Sequence, residues 1–283
     1  MPTIRELLTT YEKKALEVNK EESAIKLLMQ FATDSEGYEL IMRLDEKLTL
    51  VQEKFFTDNV TKYLENNIPI QHLIGHEIFF GHKFNVNENV LIPRFETEEL
   101  VAKVLDLYDE HFDGKEVNVV DVGTGCGAIG ITLAIEAPEM NVTITDISSL
   151  ALDVARENAE KLGANVKTIE SDMLDGIISQ GLRFDILVSN PPYIPQEEKV
   201  ESLVLDNEPH LALFGGSDGL YFYDLILRDA KQILNTPNII AFEHAYHHRE
   251  GMAHLIEKYF PDARYETVKD MQGRDRITYL INK

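Results

Sequence analysis

The run Phe184 to Ser189 goes directly into Asn190, Pro191, Pro192 and Tyr193, and no other stretch limits the fold as tightly. Proline has no N–H to give to a sheet ladder and holds the residue before it in extended geometry, so a strand entering this sequence stops at Asn190. Asn-Pro pairs also mark ordinary turns. At the end of a parallel strand, however, this turn presents an amide side chain, carbonyl groups that no prolyl N–H competes for, and an aromatic face. Those groups suit a planar substrate that carries an NH2.

The neighbouring segments call for such a strand. From Val117 the chain alternates apolar strand patterns (117–122, 142–145, 166–169, 184–189) with helical ones (129–137, 150–162). That alternation implies an α/β fold with a doubly wound parallel sheet, in which ligands bind beyond the carboxyl ends of the strands. Further on, the pattern predicts a long loop over 194–217, a helix over 220–234, a strand over 239–243, a helix around Leu255 and paired strands near Tyr265 and Ile277. At the other end, Ile4, Leu7, Leu8, Tyr11, Ala15 and Val18 recur at helical spacing, as do Ala24, Leu27, Leu28 and Phe31. Tyr38, Ile41 and Met42, then Leu48, Val51, Phe55 and Val60, extend the pattern. Residues 1–66 therefore read as a small helical bundle suited to docking a partner, 67–93 as a connector with a hairpin about Gly81 and His82, and 94–283 as the sheet domain.

Composition removes several function classes. No stretch approaches the length of a membrane span, and Met1 to Lys20 mixes charged and apolar residues with no export signal, so a cytoplasmic location is expected. A single cysteine, Cys126, rules out an internal disulfide framework and any multi-cysteine zinc site. The net charge of −22, from 27 Lys plus Arg against 49 Asp plus Glu, repels phosphate backbones and anionic membranes. A small molecule or another protein is the expected partner.

Three constellations carry chemistry. Asp121, Val122, Gly123, Thr124, Gly125, Cys126, Gly127, Ala128, Ile129 and Gly130 follow a strand and open a helix, and glycines there let backbone approach a ligand closely. Gly125, Gly127 and Gly130 also satisfy dinucleotide spacing, so the loop marks a nucleotide-like cofactor without saying which. Asp146 ends the next strand, where a carboxylate can accept two ribose hydroxyls. Asp172 stands at the following strand end, placed to receive an adenine amino group or to cap a helix, with Met173 beside it to pack on the ring. Ahead of the sheet, Arg94, Phe95, Glu96, Thr97 and Glu98 lead into a helix that Thr97 can cap.

Asn190 to Tyr193, the glycine loop and Asp146 together resemble the class I S-adenosylmethionine-dependent methyltransferases that act on conjugated nitrogens. A hydride-transfer acid or base, which a dehydrogenase needs, is not marked in the sequence. Segments outside this core narrow the likeness. Residues 68–71, Gly75, Phe79, Phe80, 91–99, 208–219 and 272–276 are similar to the protein N5-glutamine methyltransferases of peptide-chain release factors. The resemblance implies a Rossmann-like, seven-stranded methyltransferase sheet with a reversed last strand. It also implies methylation of the glutamine of a Gly-Gly-Gln loop. On that implication Gly123, Thr124, Gly125, Cys126, Gly127, Asp146, Asp172, Met173 and Asn190 meet S-adenosylmethionine. Asn190, Pro191, Pro192 and Tyr193 hold the glutamine amide, with Asn190, Pro191 and Tyr193 the catalytic set, and Arg94 and Glu96 line the same cleft.

Three departures stand out: Phe95 replaces a usual proline, Met173 a commoner aromatic, and the run from Glu243 to His248 a glycine and glutamine pattern. His244, His247 and His248 lack further ligands at metal spacing, so no metal is assigned and they are expected as polar residues opening a helix. Two rivals stay open at this level. One is an N6-adenine methyltransferase of DNA or RNA, because that nitrogen is also conjugated; the other is a non-catalytic S-adenosylmethionine-binding module. Direct nucleic-acid binding is not expected at this net charge, and a monomer is.

Overall fold

The computed structural model describes residues 1–283, which form two compact units: residues 1–76 with 200–207, and residues 77–199 with 208–283. In the first, α1 (Ile4–Glu17), α2 (Glu22–Thr33), α3 (Gly37–Met42), α4 (Leu50–Asn66) and α5 (Ile70–Ile74) follow one another. Thr3 with Glu6, and Thr49 with Gln52, form capping boxes that satisfy the free N–H groups opening α1 and α4. Ile4, Leu8, Ile25, Leu28, Phe56 and Val60 meet in a core of their own. Tyr38, Ile41 and Met42, expected to extend the buried stripe, are exposed. The short α3 buries Leu40 alone.

The second unit starts from a hairpin of β1 (His76–Phe79) and β2 (His82–Asn85). Its turn lies one residue earlier than the sequence implies: Phe80 and Gly81 carry the positive φ values, 51° and 78°. The Phe80 N–H donates to Glu98 Oε1 at 2.8 Å, which anchors a non-glycine residue in that conformation. Next come α6 (Phe95–Phe112), β3 (Val117–Val122), α7 (Ala128–Glu136), β4 (Met140–Asp146), α8 (Ser149–Leu162), β5 (Val166–Glu170), α9 (Asp175–Ser179) and β6 (Phe184–Ser189). The long loop holds α10 (Ser202–Leu205), which lies in the stretch grouped with the first unit, and a 3-10 turn at His210–Ala212, before α11 (Tyr221–Asp229), β7 (Leu234–Glu243), α12 (Arg249–Tyr259), β8 (Arg264–Lys269) and β9 (Asp275–Asn282). No helix is long and apolar enough to cross a membrane.

The seven-stranded sheet has the order β5-β4-β3-β6-β7-β9-β8, with β9 alone antiparallel to both of its neighbours. Successive strand residues point to opposite faces, and the cores follow that rule. Val119, Ile186, Val188, Ile239 and Ala241 pack towards one face with side chains of α6, α7 and α8. Val120, Leu187, Ile240 and Phe242 pack towards the other with α11 and α12. The chain leaves β3 for β4 on one side and returns to β6 on the other, so the connections diverge at the carboxyl ends of β3 and β6. A crevice opens at that switch point.

Gly130 lets α7 lie against this sheet. A Cβ at Gly130 would stand 2.4 Å from Ile144 Cγ2 and 3.1 Å from Asp121 Cβ, neither of which can withdraw from its strand. Gly130→Ala is expected to cost about 1–3 kcal/mol of stability, seen as a lower urea midpoint at unchanged slope.

Candidate active site

The glycine loop is shaped from below by two carboxylates. Gly123, Gly125 and Gly127 have φ values of 73°, 58° and 88°, a region that side chains with a Cβ rarely enter. The Gly123 and Thr124 N–H groups both donate to the Thr145 carbonyl, at 2.9 and 2.8 Å, tying the loop to the end of β4. Asp121 is fully buried, and its Oδ2 accepts from Thr124 Oγ1 at 2.5 Å and from the Gly130 N–H at 3.0 Å. Burial outweighs those donors and pushes its carboxyl up to about 7. Asp146 closes the loop from the neighbouring strand: Oδ2 accepts from the Gly125 N–H and Oδ1 from the Ser148 N–H, each at 2.9 Å. It too is raised by burial. Cys126 is buried behind the loop and its thiol is pushed up to about 12 by desolvation, so it fills space as an uncharged thiol.

A cavity of about 320 Å³ lies over the carboxyl ends of the parallel strands. Gly123, Gly125, Asp146, Asp172, Met173 and Asn190 are on its wall, with Pro192 beside them. Ile147, Ala151, Tyr221, Phe222 and Leu225 line it as well. Sequence reading did not select these five, although Ile147 follows the strand-ending Asp146 and was within reach of the argument. Thr124, Cys126, Gly127, Pro191, Tyr193, Arg94 and Glu96 are not part of this wall. The first three support it from behind, Gly127 as the residue capping α7. The lining fits S-adenosylmethionine: the Asp146 carboxylate keeps lone pairs for ribose hydroxyls, Met173 and Phe222 offer apolar surface to a ring, and the open glycines leave room for a close approach.

On the far side of the cavity, β6 ends as its prolines require. Ser189 Oγ donates to the Val122 carbonyl at 2.6 Å, locking the strand end to β3. The Asn190 Nδ2 donates to Thr97 Oγ1 at 3.3 Å. Thr97 was expected to cap α6. The helix begins two residues earlier, at Phe95 after Arg94, which puts Thr97 in the first turn, 5% exposed and aimed at Asn190. Arg94 is paired with Glu208, Nη2 to Oε1 at 2.5 Å, and the other Glu208 oxygen accepts from the Ile92 N–H at 3.1 Å. The ion pair therefore pins 92–94 to the segment 208–219. That segment passes under the clamp so closely that a Cβ at Gly215 would lie 2.4 Å from the Pro192 carbonyl oxygen. The phenol of Tyr193 is pushed up by burial first, with Glu243 adding to the shift, so it stays neutral.

Behind Asn190 and Thr97 stands Glu243, the last residue of β7, 2% exposed and pushed up to about 7 by burial. Sequence reading counted it only as a strand end. Of the histidines after it, His248 is the residue capping α12, which starts at Arg249, while His244 and His247 lie ahead of the helix. His244 is buried, with Nε2 2.7 Å from Thr278 Oγ1 and Nδ1 2.8 Å from the Ala245 carbonyl, and burial pushes His248 down to about 4.

Comparison with known proteins accords with this geometry. The Methyltransferase small domain model matches residues 78–213, and the PrmC N-terminal domain model matches residues 7–75. A Release factor glutamine methyltransferase of Bacillus subtilis (strain 168) is 42% identical over 288 residues, covering 100% of this chain and 99% of the relative. One from Bacillus anthracis is 40% identical over 93% of each. Among solved structures, a methyltransferase from Pyrococcus furiosus shares the fold at a TM-score of 0.51 and 18% identity, over 82% of this chain and 98% of that one. With this identity over essentially its whole length, the chain belongs to the release factor glutamine methyltransferase family, S-adenosylmethionine-dependent enzymes.

Proposed function

We propose that the protein transfers a methyl group from S-adenosylmethionine to the side-chain N5 of the glutamine in the Gly-Gly-Gln loop of peptide-chain release factors. One observation carries the chemistry: the Asn190 turn and the glycine loop with Asp146 face the same cavity from the carboxyl ends of neighbouring parallel strands. Gly123, Thr124, Gly125, Cys126, Gly127, Asp146, Asp172, Met173 and Asn190 form the cofactor side of this reading. When bound, the cofactor supplies an electrophilic methyl on a sulfonium.

The rest falls to residues of the chain. An amide nitrogen is a poor nucleophile because its lone pair is delocalised into the carbonyl. The Asn190 Oδ1 and the Pro191 carbonyl accept its two hydrogens, fix the plane of the amide and aim the lone pair across the cavity, and Tyr193 stacks on that plane. Orientation of this kind is worth on the order of 7–11 kcal/mol of a barrier in favourable cases, and the same acceptors stabilise positive charge as it builds on nitrogen. Arg94 and Glu96 act on the substrate side, Arg94 through its hold on Glu208. The helical region 1–66 docks the release factor, and 67–93 connects it to the catalytic domain 94–283. A monomer working in the cytoplasm, alongside translation, goes with this substrate. The N6 of adenine offers the same two hydrogens, but the net charge of −22 opposes a nucleic-acid backbone.

Purified release factor, DNA and RNA offered in parallel with labelled cofactor test the reading. Label on the release factor, located by mass spectrometry at the Gly-Gly-Gln glutamine, is the expected result, and label on nucleic acid alone would replace it with the adenine reaction. Asn190→Ala is expected to lower turnover by about 100-fold or more while calorimetry finds cofactor affinity nearly unchanged. Asp146→Ala is expected to do the reverse, weakening cofactor binding about 10–100-fold through the loss of a charge-assisted acceptor and sparing turnover at saturating cofactor.

A further inference from the structure

The glycine loop leaves one main-chain group to be satisfied from outside. Gly127 caps α7, and its carbonyl takes the first helical N–H, that of Ile131, at 2.9 Å. The Cys126 carbonyl, one residue earlier, lies outside that ladder, and Cys126 is 2% exposed. The Gly130 N–H in the first turn is given to Asp121 Oδ2 at 3.0 Å. A carbonyl placed in this way, dry and ahead of the helix, needs a donor from another element.

That donor stands on α8. Ala151, Ala155 and Asn158 recur at intervals of four and three and so share one face of the helix. Ala151 is on the cavity wall. Ala155 lies so close under the loop that a Cβ at Gly127 would stand 3.3 Å from its own Cβ. Asn158 is fully buried, and its Nδ2 donates to the Cys126 carbonyl at 2.9 Å. The same Nδ2 donates to the Asn85 carbonyl at 3.0 Å, while Oδ1 accepts from the Asn85 N–H at 2.7 Å. With both hydrogens given and the oxygen paired, this amide has only one orientation that satisfies its neighbours. Asn85 is the last residue of β2, and its side chain is held in turn by Lys161 Nζ at 2.5 Å. At the start of the same strand, His82 Nε2 lies 3.0 Å from Glu136 Oε1 at the end of α7. The β1–β2 hairpin is therefore braced against both helices that follow the loop.

We infer that Asn158 is a positioning residue for S-adenosylmethionine binding, because it ties the Cys126 carbonyl, and with it the path of the glycine loop, to the main chain of the hairpin. The inference rests on the reading that this loop is the cofactor side of the cavity. Asn158 is not on the cavity wall and acts only through the loop. Held by α8 and β2, the loop meets the cofactor ready-made. Without that hold, the binding-competent loop is a fraction of the population, and the apparent dissociation constant rises in inverse proportion. At saturating cofactor the loop is formed again, so turnover is spared. The Asn190 turn is anchored separately, through Ser189 Oγ and the Val122 carbonyl.

Two substitutions test this. Asn158→Asp keeps the volume and an acceptor for the Asn85 N–H but sets lone pairs against both carbonyls, and Asn158→Ala removes all three bonds. Each is expected to weaken cofactor binding about 10-fold by calorimetry, with turnover at saturating cofactor and release factor, and the KM for release factor, within about twofold of the wild type. Leu107→Ala, which truncates a buried core residue of α6, serves as a destabilised control and is expected to bind cofactor as the wild type does. Unchanged affinity in the Asn158 variants, or an equal loss in Leu107→Ala, would overturn the inference. In the 15N-labelled, cofactor-free chain the Gly127 amide, bonded to the Cys126 carbonyl carbon, is expected to move in Asn158→Asp while the Ser189 amide stays in place; an unmoved Gly127 resonance also counts against it. Should neither variant fold, slow exchange of the Asn158 side-chain hydrogens in the wild type supports the brace and rapid exchange removes it. A wild type that binds no S-adenosylmethionine counts against the proposed function, and the Gly127 resonance still decides what Asn158 holds.

Discussion

Two prolines in succession set where the parallel sheet opens. β6 lies between β3 and β7, where it would otherwise continue its ladders on both sides. Pro191 and Pro192 have no N–H to give, so the ladder with β3 ends at the pair Val122 and Ser189. At that level the connections diverge, β3 turning towards β4 and β6 towards β7. The glycine loop and the Asn190 turn thus arrive at the same height from adjacent strands, with the cavity above them. Apolar cores on both faces of the sheet make these strand ends rigid. The geometry of the cleft comes from these two turns, each following a strand packed on both faces.

An acidic side chain in dry surroundings lies beside each of those turns. Asp121 under the glycine loop and Glu243 behind Asn190 are both completely enclosed, and both are pushed up to about 7 by the loss of water. A buried carboxylate is costly to keep, and in its ionised form it only accepts hydrogen bonds. Asp121 takes donors from Thr124 and Gly130, and so sets which way the Thr124 hydroxyl points, while Glu243 is buried close to Thr97 and Asn190. For Asp121, the raised pKa is the cost of that directionality.

Much of the architecture was legible in the primary structure because it is written in local patterns. The strand runs 117–122 and 184–189 appear with those bounds, since each is a mostly apolar run that stops at a local breaker, Gly123 in one case and Asn190 before two prolines in the other. A threonine near a helix start usually caps, and Thr97 was assigned that ordinary local role; Glu243 was read as the end of a strand, which it is, without its burial. The hydrogen bond from Asn190 to Thr97 joins the turn after β6 to α6 across 93 positions, with Glu243 at the end of β7 buried nearby. No periodicity reports a meeting over that sequence distance. Arg94 was assigned to the cleft from its neighbourhood, while its charge is spent on Glu208, a partner 114 positions away. The exposed Tyr38, Ile41 and Met42 failed differently: helical spacing records which residues share a face, and α3 is too short for that face to be covered.

An acceptor-only clamp also bears on which side chain it can methylate. Asn190 Oδ1, on an amide whose Nδ2 donates to Thr97 Oγ1, and the Pro191 carbonyl together offer lone pairs and no donor. A glutamine amide brings two hydrogens to them. A glutamate carboxylate of nearly the same shape brings none, and it would add its own charge to a protein that already carries −22. Sites built to hydrogen-bond an N–H reject analogues that lack it by about 10⁴–10⁵, because the acceptors are then left unpaired out of water. Under the proposed function, the device that makes an amide nitrogen reactive and the device that refuses the corresponding acid are therefore the same two oxygens. Selectivity at this position needs no further pocket, provided the Asn190 amide cannot turn over.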